Sequence, residues 1–179
     1  PTPVAGDQFG ASVANAAGLA AIGDPADDTM VTSAGAVYLF DPVTTALVRT
    51  LHDPAPQAGA QFGACLASLN DDLIVAAPYA DESSTTDSGR VLVFAPGETT
   101  PRLVIPNPSP GAGDSFGYAI AAVGSDVLVG APGKNRVAVY NLTAADRSDW
   151  TLTSGGFTDN PLRADYIDDQ ITFFPLTMA

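Results

Sequence analysis

Apolar residues in this chain come in short runs broken by turn-forming residues. Leu73-Ile74-Val75-Ala76-Ala77 follows Asn70-Asp71-Asp72, and Val91-Leu92-Val93-Phe94 sits between Ser88-Gly89 and Pro96-Gly97. Runs this short, rich in β-branched and aromatic side chains and bounded by Gly, Pro, Asn, Asp and Ser, predict strands rather than helices. Over residues 57–110 four strands are expected: Phe62–Leu69, Leu73–Ala77, Arg90–Phe94 and Arg102–Ile105. Asn-Asp and Pro-Gly favour tight reversals, so neighbouring strands should pair antiparallel.

The pattern occurs three times. Phe9-Gly10-Ala11-Ser12-Val13-Ala14 returns as Phe62-Gly63-Ala64-Cys65-Leu66-Ala67 and again as Phe116-Gly117-Tyr118-Ala119-Ile120-Ala121, at spacings of 53 and 54 residues. Each copy is followed by Ile22-Gly23-Asp24-Pro25, Val75-Ala76-Ala77-Pro78 or Val129-Gly130-Ala131-Pro132. A third match is the run Ala36-Val37-Tyr38-Leu39-Phe40, Arg90-Val91-Leu92-Val93-Phe94 or Arg136-Val137-Ala138-Val139-Tyr140. Four antiparallel strands repeating every ~40–50 residues are the signature of a propeller blade. A blade cannot bury both faces alone and needs neighbours stacked on it.

The shared residues have a packing explanation. Phe9, Phe62 and Phe116 are expected to fill the space between successive blades. Gly10, Gly63 and Gly117 let the backbone approach or turn where a side chain would clash. Pro25, Pro78 and Pro132 end the second strand, because proline has no N–H for the ladder. The expected fold is therefore all-β, with blades over 1–56, 57–110 and 111–153 and a β extension over 154–179.

Phe-Gly, then Gly-Ala-Pro, then a strand of the Val-Tyr-x-Phe kind resembles the FG-GAP repeat of integrin alpha subunits and many bacterial surface proteins. The likeness runs from residue 5 to about 152. It implies β-propeller blades and, more loosely, adhesion or recognition outside the cell. Two departures limit the transfer. Calcium-binding blades of that family carry an Asp-x-Asp-x-Asp-Gly-like loop, whereas the loops here are Asn15-Ala16-Ala17-Gly18, Asn70-Asp71-Asp72 and Gly124-Ser125-Asp126. None offers the oxygen set that calcium prefers, so the resemblance is to the shorter bacterial type. The other departure is the copy number, since closed propellers typically have about 4–8 blades.

Composition narrows the function classes. Seventeen Gly and fifteen Pro, with few Glu, Lys or Gln, suit a turn-rich β protein. Eighteen Asp and two Glu oppose six Arg and the single Lys134, for a net charge of −13. Such a chain is a poor ligand for nucleic acid or anionic membrane, since both need Lys and Arg against phosphate. No run approaches the ~18–20 apolar residues that span a bilayer. Cys65 is the only cysteine, so no intrachain disulfide forms and redox compartment stays open. Starting on Pro1, the chain reads either as an expression product or as a mature protein cleaved from a signal peptide. Asn141-Leu142-Thr143 fits an N-glycosylation acceptor. These features together favour an extracellular or cell-surface location.

Candidate chemistry is thin. His52 is the single histidine and has no evident nucleophile or acid beside it in sequence, so a solvent-facing position near a turn is expected. Cys65 aligns with Ser12 and Ala119, which reads as a small packed site. Asp24, Asp27 and Asp28 cluster after the second strand of the first copy and are the candidates for a cation, with calcium the only cofactor considered. Asp81, Glu82 and Asp87 fill the equivalent loop of the second copy. Solvated loop charge is the simpler account, and no catalytic set emerges.

Three blades leave two terminal faces without neighbours, and exposed apolar faces mark interaction sites. The expected function is a non-enzymatic extracellular structural or adhesive module that self-associates into a ring or filament. The alternatives are a piece of a larger FG-GAP propeller receptor or enzyme, or a cation- or sugar-binding propeller. Expected partners are copies of itself, other blades, or a cell-surface or glycan ligand. In the extension, Ile171, Phe173, Phe174 and Leu176 form an apolar strand expected to pair within the chain or with a neighbouring subunit.

Overall fold

The structure is a computed structural model that describes residues 6–82, 84–141 and 165–168, with side chains described as far as Tyr140. Three antiparallel four-stranded sheets account for all the regular structure among these residues apart from one turn of 3-10 helix at Pro132–Lys134. The first sheet holds β1 (Ser12–Ala16), β2 (Leu19–Asp24), β3 (Ala36–Phe40) and β4 (Leu47–Leu51), paired in that order. The second holds β5 (Leu66–Leu69), β6 (Asp72–Ala77), β7 (Arg90–Phe94) and β8 (Leu103–Pro106). The third holds β9 (Ala119–Val123), β10 (Asp126–Ala131), β11 (Arg136–Asn141) and β12 (Asp165–Asp168). The sheets are propeller-type blades, and among the described residues they form no closed barrel.

Local chemistry explains the strand limits. Asn70 and Asp71 both take positive φ, 50° and 70°, which makes the two-residue reversal that joins β5 to β6 with the right twist. Strands β2, β6 and β10 stop at Asp24, Ala77 and Ala131, each one residue before a proline. One boundary differs from expectation. The first strand of the second blade begins at Leu66, not Phe62. Gln61 and Gly63 have φ of 57° and 90°, and the Gln61 and Phe62 N–H groups are bonded to the preceding blade, so no ladder can start there.

Stacking buries the apolar faces between blades. One core cluster joins Ala21, Val37, Leu39 and Leu51 of the first blade to Phe62, Val75, Leu92 and Phe94 of the second. The other joins Ile74, Val91, Val93 and Ile105 of the second blade to Phe116, Val127, Val129 and Tyr140 of the third. All six residues of β6 are buried, whereas β10 alternates between buried and half-buried. Among the described residues the middle blade is thus covered on both faces and the third on one. Strand β12 pairs with β11 from Arg136↔Asp168 to Val139↔Asp165, so the outer strand of the third blade is drawn from within residues 154–179. Ile171, Phe173, Phe174 and Leu176 lie outside the described residues.

Candidate functional site

The two internal interfaces use one device. The N–H groups of Gly59, Gln61 and Phe62 donate to the carbonyls of Thr32, Ser33 and Ala34 at 2.9, 3.1 and 2.8 Å. At the next junction Gly113, Ser115 and Phe116 donate to Thr86, Asp87 and Ser88 at 3.0, 3.0 and 3.1 Å. The segment before each Phe-Gly is therefore held by a receiving loop in the blade before it. Each receiving loop ends in a glycine, Gly35 or Gly89, where a Cβ would come within 2.1 or 2.2 Å of the incoming Phe carbonyl oxygen. Only glycine allows that approach, and φ values of 86° and 78° require it independently.

Side chains then seal the contact. The Phe62 ring meets Phe94 edge-on at 6.0 Å between centroids, and Phe116 meets Tyr140 in the same way at 6.1 Å. Gly63 donates its N–H to Ala76 within its own blade while its carbonyl accepts the Ser12 hydroxyl of the first blade at 2.6 Å. At the first junction the Arg90 guanidinium bonds Asp53 at 2.7 Å, Glu82 at 2.7 Å and the Ala55 carbonyl at 2.8 Å. Burial alone would lower the Arg90 pKa, but the two carboxylates outweigh it and hold the cation above its ordinary value. The second junction uses other groups. Asp114 accepts from Asn107 and from the Gly111 N–H, with the Lys134 ammonium at 3.3 Å.

The first blade carries the same apparatus, and none of the described residues of another blade lies against it. Phe9 is 44% exposed, while its counterparts Phe62 and Phe116 are 0% and 1% exposed. Its ring still leans on Tyr38 and Phe40, at 5.8 and 6.1 Å. Gly10 keeps φ of 94° and its N–H bond to Gly23, yet a Cβ there would meet nothing within 4 Å. At Gly63 and Gly117 the same addition would strike the preceding blade. Val13, on the first strand of the same blade, stands 71% exposed. Phe62 and Phe116 lie between blades, and Phe9 lies on an open one.

The acidic candidates bond to groups in and around the first receiving loop. Asp24 is buried and accepts the Gln8 N–H at 3.1 Å; burial raises its pKa. Asp27 accepts the Tyr38 hydroxyl at 2.6 Å and the Thr29 N–H at 2.8 Å. Burial pushes its pKa up, but those hydrogen bonds, helped by His52, leave it below the ordinary value. Burial, then the bond to Asp27, raises the Tyr38 phenol in turn. Asp28 accepts the Ser33 N–H at 2.6 Å. Asp27 and Asp28 accept from N–H groups of the loop and Asp24 from the Phe-Gly segment, and among the described residues no three acidic, His or Cys side chains converge on a metal position.

The other candidates fall elsewhere. His52 is half-buried rather than solvent-facing, with Nδ1 enclosed, because it follows β4 directly into the junction. Cys65 packs against the second core cluster, and burial raises its pKa. Asn141 closes β11, and its side chain is outside the described residues. A cleft of about 490 Å³ opens between the first two blades, with Arg49, Asp71 and Glu98 as its charged lining. What sequence reasoning missed was the receiving loop. Its signal was available as Thr32-Ser33-Ala34-Gly35 and Thr86-Asp87-Ser88-Gly89, 54 residues apart.

Comparison with known proteins agrees with this geometry. Residues 3–40, which span the Phe-Gly segment, β1, β2, the first receiving loop and β3, match the FG-GAP repeat family. No curated protein matches the chain.

Proposed function

We propose that this FG-GAP repeat chain is a non-enzymatic, extracellular structural or adhesive module that works by association, with the open face of its first blade as the contact surface. One observation carries the reading: Phe9 stands 44% exposed where the repeat equivalents Phe62 and Phe116 are sealed by a neighbouring blade. An exposed aromatic side chain, with Val13 also exposed on the same blade, has a favourable free energy of association waiting to be used. The family match supports an extracellular setting, and among the described residues no helix is long and apolar enough to cross a membrane. The cation- and sugar-binding reading draws no support from the acidic loops, whose carboxylates are bonded to backbone and to Tyr38.

A photo-crosslinking amino acid at position 9 tests the reading in the protein as its own cells produce it. Adducts to another polypeptide are expected at position 9 and not at Val43, which is 89% exposed outside this face. Equal labelling at both positions, or none at position 9, removes the first-blade face as a contact surface.

A further inference from the structure

The three blades differ in the one loop that makes stacking directional. Between the second and third strands the first blade has residues 25–35 and the second has 78–89, and these long loops carry the carbonyls and the glycine that receive the next Phe-Gly segment. The third blade has only residues 132–135, folded into a 3-10 turn. The position matching Gly35 and Gly89, directly before the third strand, is Asn135 with φ of 53°. Asparagine tolerates that φ, yet it carries the Cβ that the incoming Phe backbone would strike. The turn also lacks counterparts of Thr32, Ser33 and Ala34, so the incoming N–H groups would be buried without acceptors.

We infer that the third blade cannot receive a further Phe-Gly segment, so that the stack extends through this device only at its first blade. The partner of the first-blade face is then none of the three described blades but a further blade, one with a long loop and a glycine ahead of its third strand. The inference rests on the proposed role of that face. It excludes the third blade of a second copy as the occupant, and with it a ring or filament built head to tail through this contact. The receiving loops at Gly35 and Gly89 are already filled by Phe62 and Phe116, and the described residues hold no third one. The internal junctions show what the occupant must offer, namely three consecutive carbonyls followed by a residue without a side chain.

The test is a loop graft on the full chain. Residues 132–135 are replaced by the sequence of residues 78–89, and the mass in solution is followed by sedimentation as concentration rises. The grafted chain is expected to assemble head to tail, with Phe9→Asp in the graft weakening assembly by about tenfold or more. The ungrafted chain is expected to show no Phe9-dependent assembly. A folded graft that sediments like the ungrafted chain overturns the role of the loop. Should the graft fail to fold, the ungrafted chain decides. Self-assembly that Phe9→Asp abolishes overturns the inference while upholding the contact face, and a mass indifferent to position 9 supports the inference. Failure of position 9 to crosslink in cells is a separate result, and it would remove the contact face itself.

Discussion

Phe62 and Phe9 occupy equivalent places in successive repeats and live in different surroundings. Both follow a Gly-x-x segment, both precede a left-handed glycine, and both rest on the aromatic residue at the end of their own third strand. Phe62 is closed over by the receiving loop and sheet of the first blade, and Phe9 is not. Burial in this architecture is thus a property of the neighbour rather than of the motif. The same holds for whole strands: β6, with a blade on each side, is buried throughout, while β10 is buried on alternate residues. A stack of this kind draws its stability from nearest-neighbour contacts.

That contrast can be tested by substitution, with chemical denaturation as the measurement. The largest effect is expected from Phe62→Ala, at about 3–5 kcal/mol, because the side chain is fully enclosed and the second blade cannot collapse around the space. A loss near 1 kcal/mol would mean that the first two blades do not unfold as a unit. Asp53→Ala follows closely, at about 3–5 kcal/mol, since it leaves the Arg90 guanidinium buried with only Glu82 and a carbonyl.

Asp27→Ala is smaller, at about 1.5–3 kcal/mol for a charge-assisted hydrogen bond to a buried phenol. Its pH dependence gives a sharper check. The Asp27 pKa is lowered on folding, so its contribution is present above the unfolded value near 4 and disappears as pH falls through the folded value. Asp24 has the opposite sign. Its pKa is raised, so its stabilisation is present below about pH 4 and is lost as pH rises through the folded value. Replacing Asp27 should therefore flatten the acid limb of the stability curve, and replacing Asp24 should steepen it. The smallest effect belongs to Phe9→Ala, at about 1 kcal/mol or less, because nearly half the ring is already in water. A loss as large as that of Phe62→Ala would show that the first face is covered in the folded monomer.

Most of the fold was legible along the chain. Strand positions followed from apolar runs, their ends from Pro25, Pro78 and Pro132, and the blade count from the Phe-Gly spacing. The strand expected to begin at Phe62 was misplaced because its N–H groups belong to another blade, which no local pattern reveals. The hydrogen bonds of the acidic cluster were likewise not legible: Asp24, Asp27 and Asp28 are close in sequence, yet each accepts from a different donor. Arg90 passed unremarked as a strand residue, although it ties the first junction together.

By itself the sequence determined the repeating unit, because strand and turn preferences act over a few residues and are written in each copy alike. Tertiary structure alone decided which copies of an identical motif are sealed and which is left open. That outcome depends on whether a receiving loop from the blade before it lies against the Phe-Gly segment, and contact between blades is a relation between distant parts of the chain.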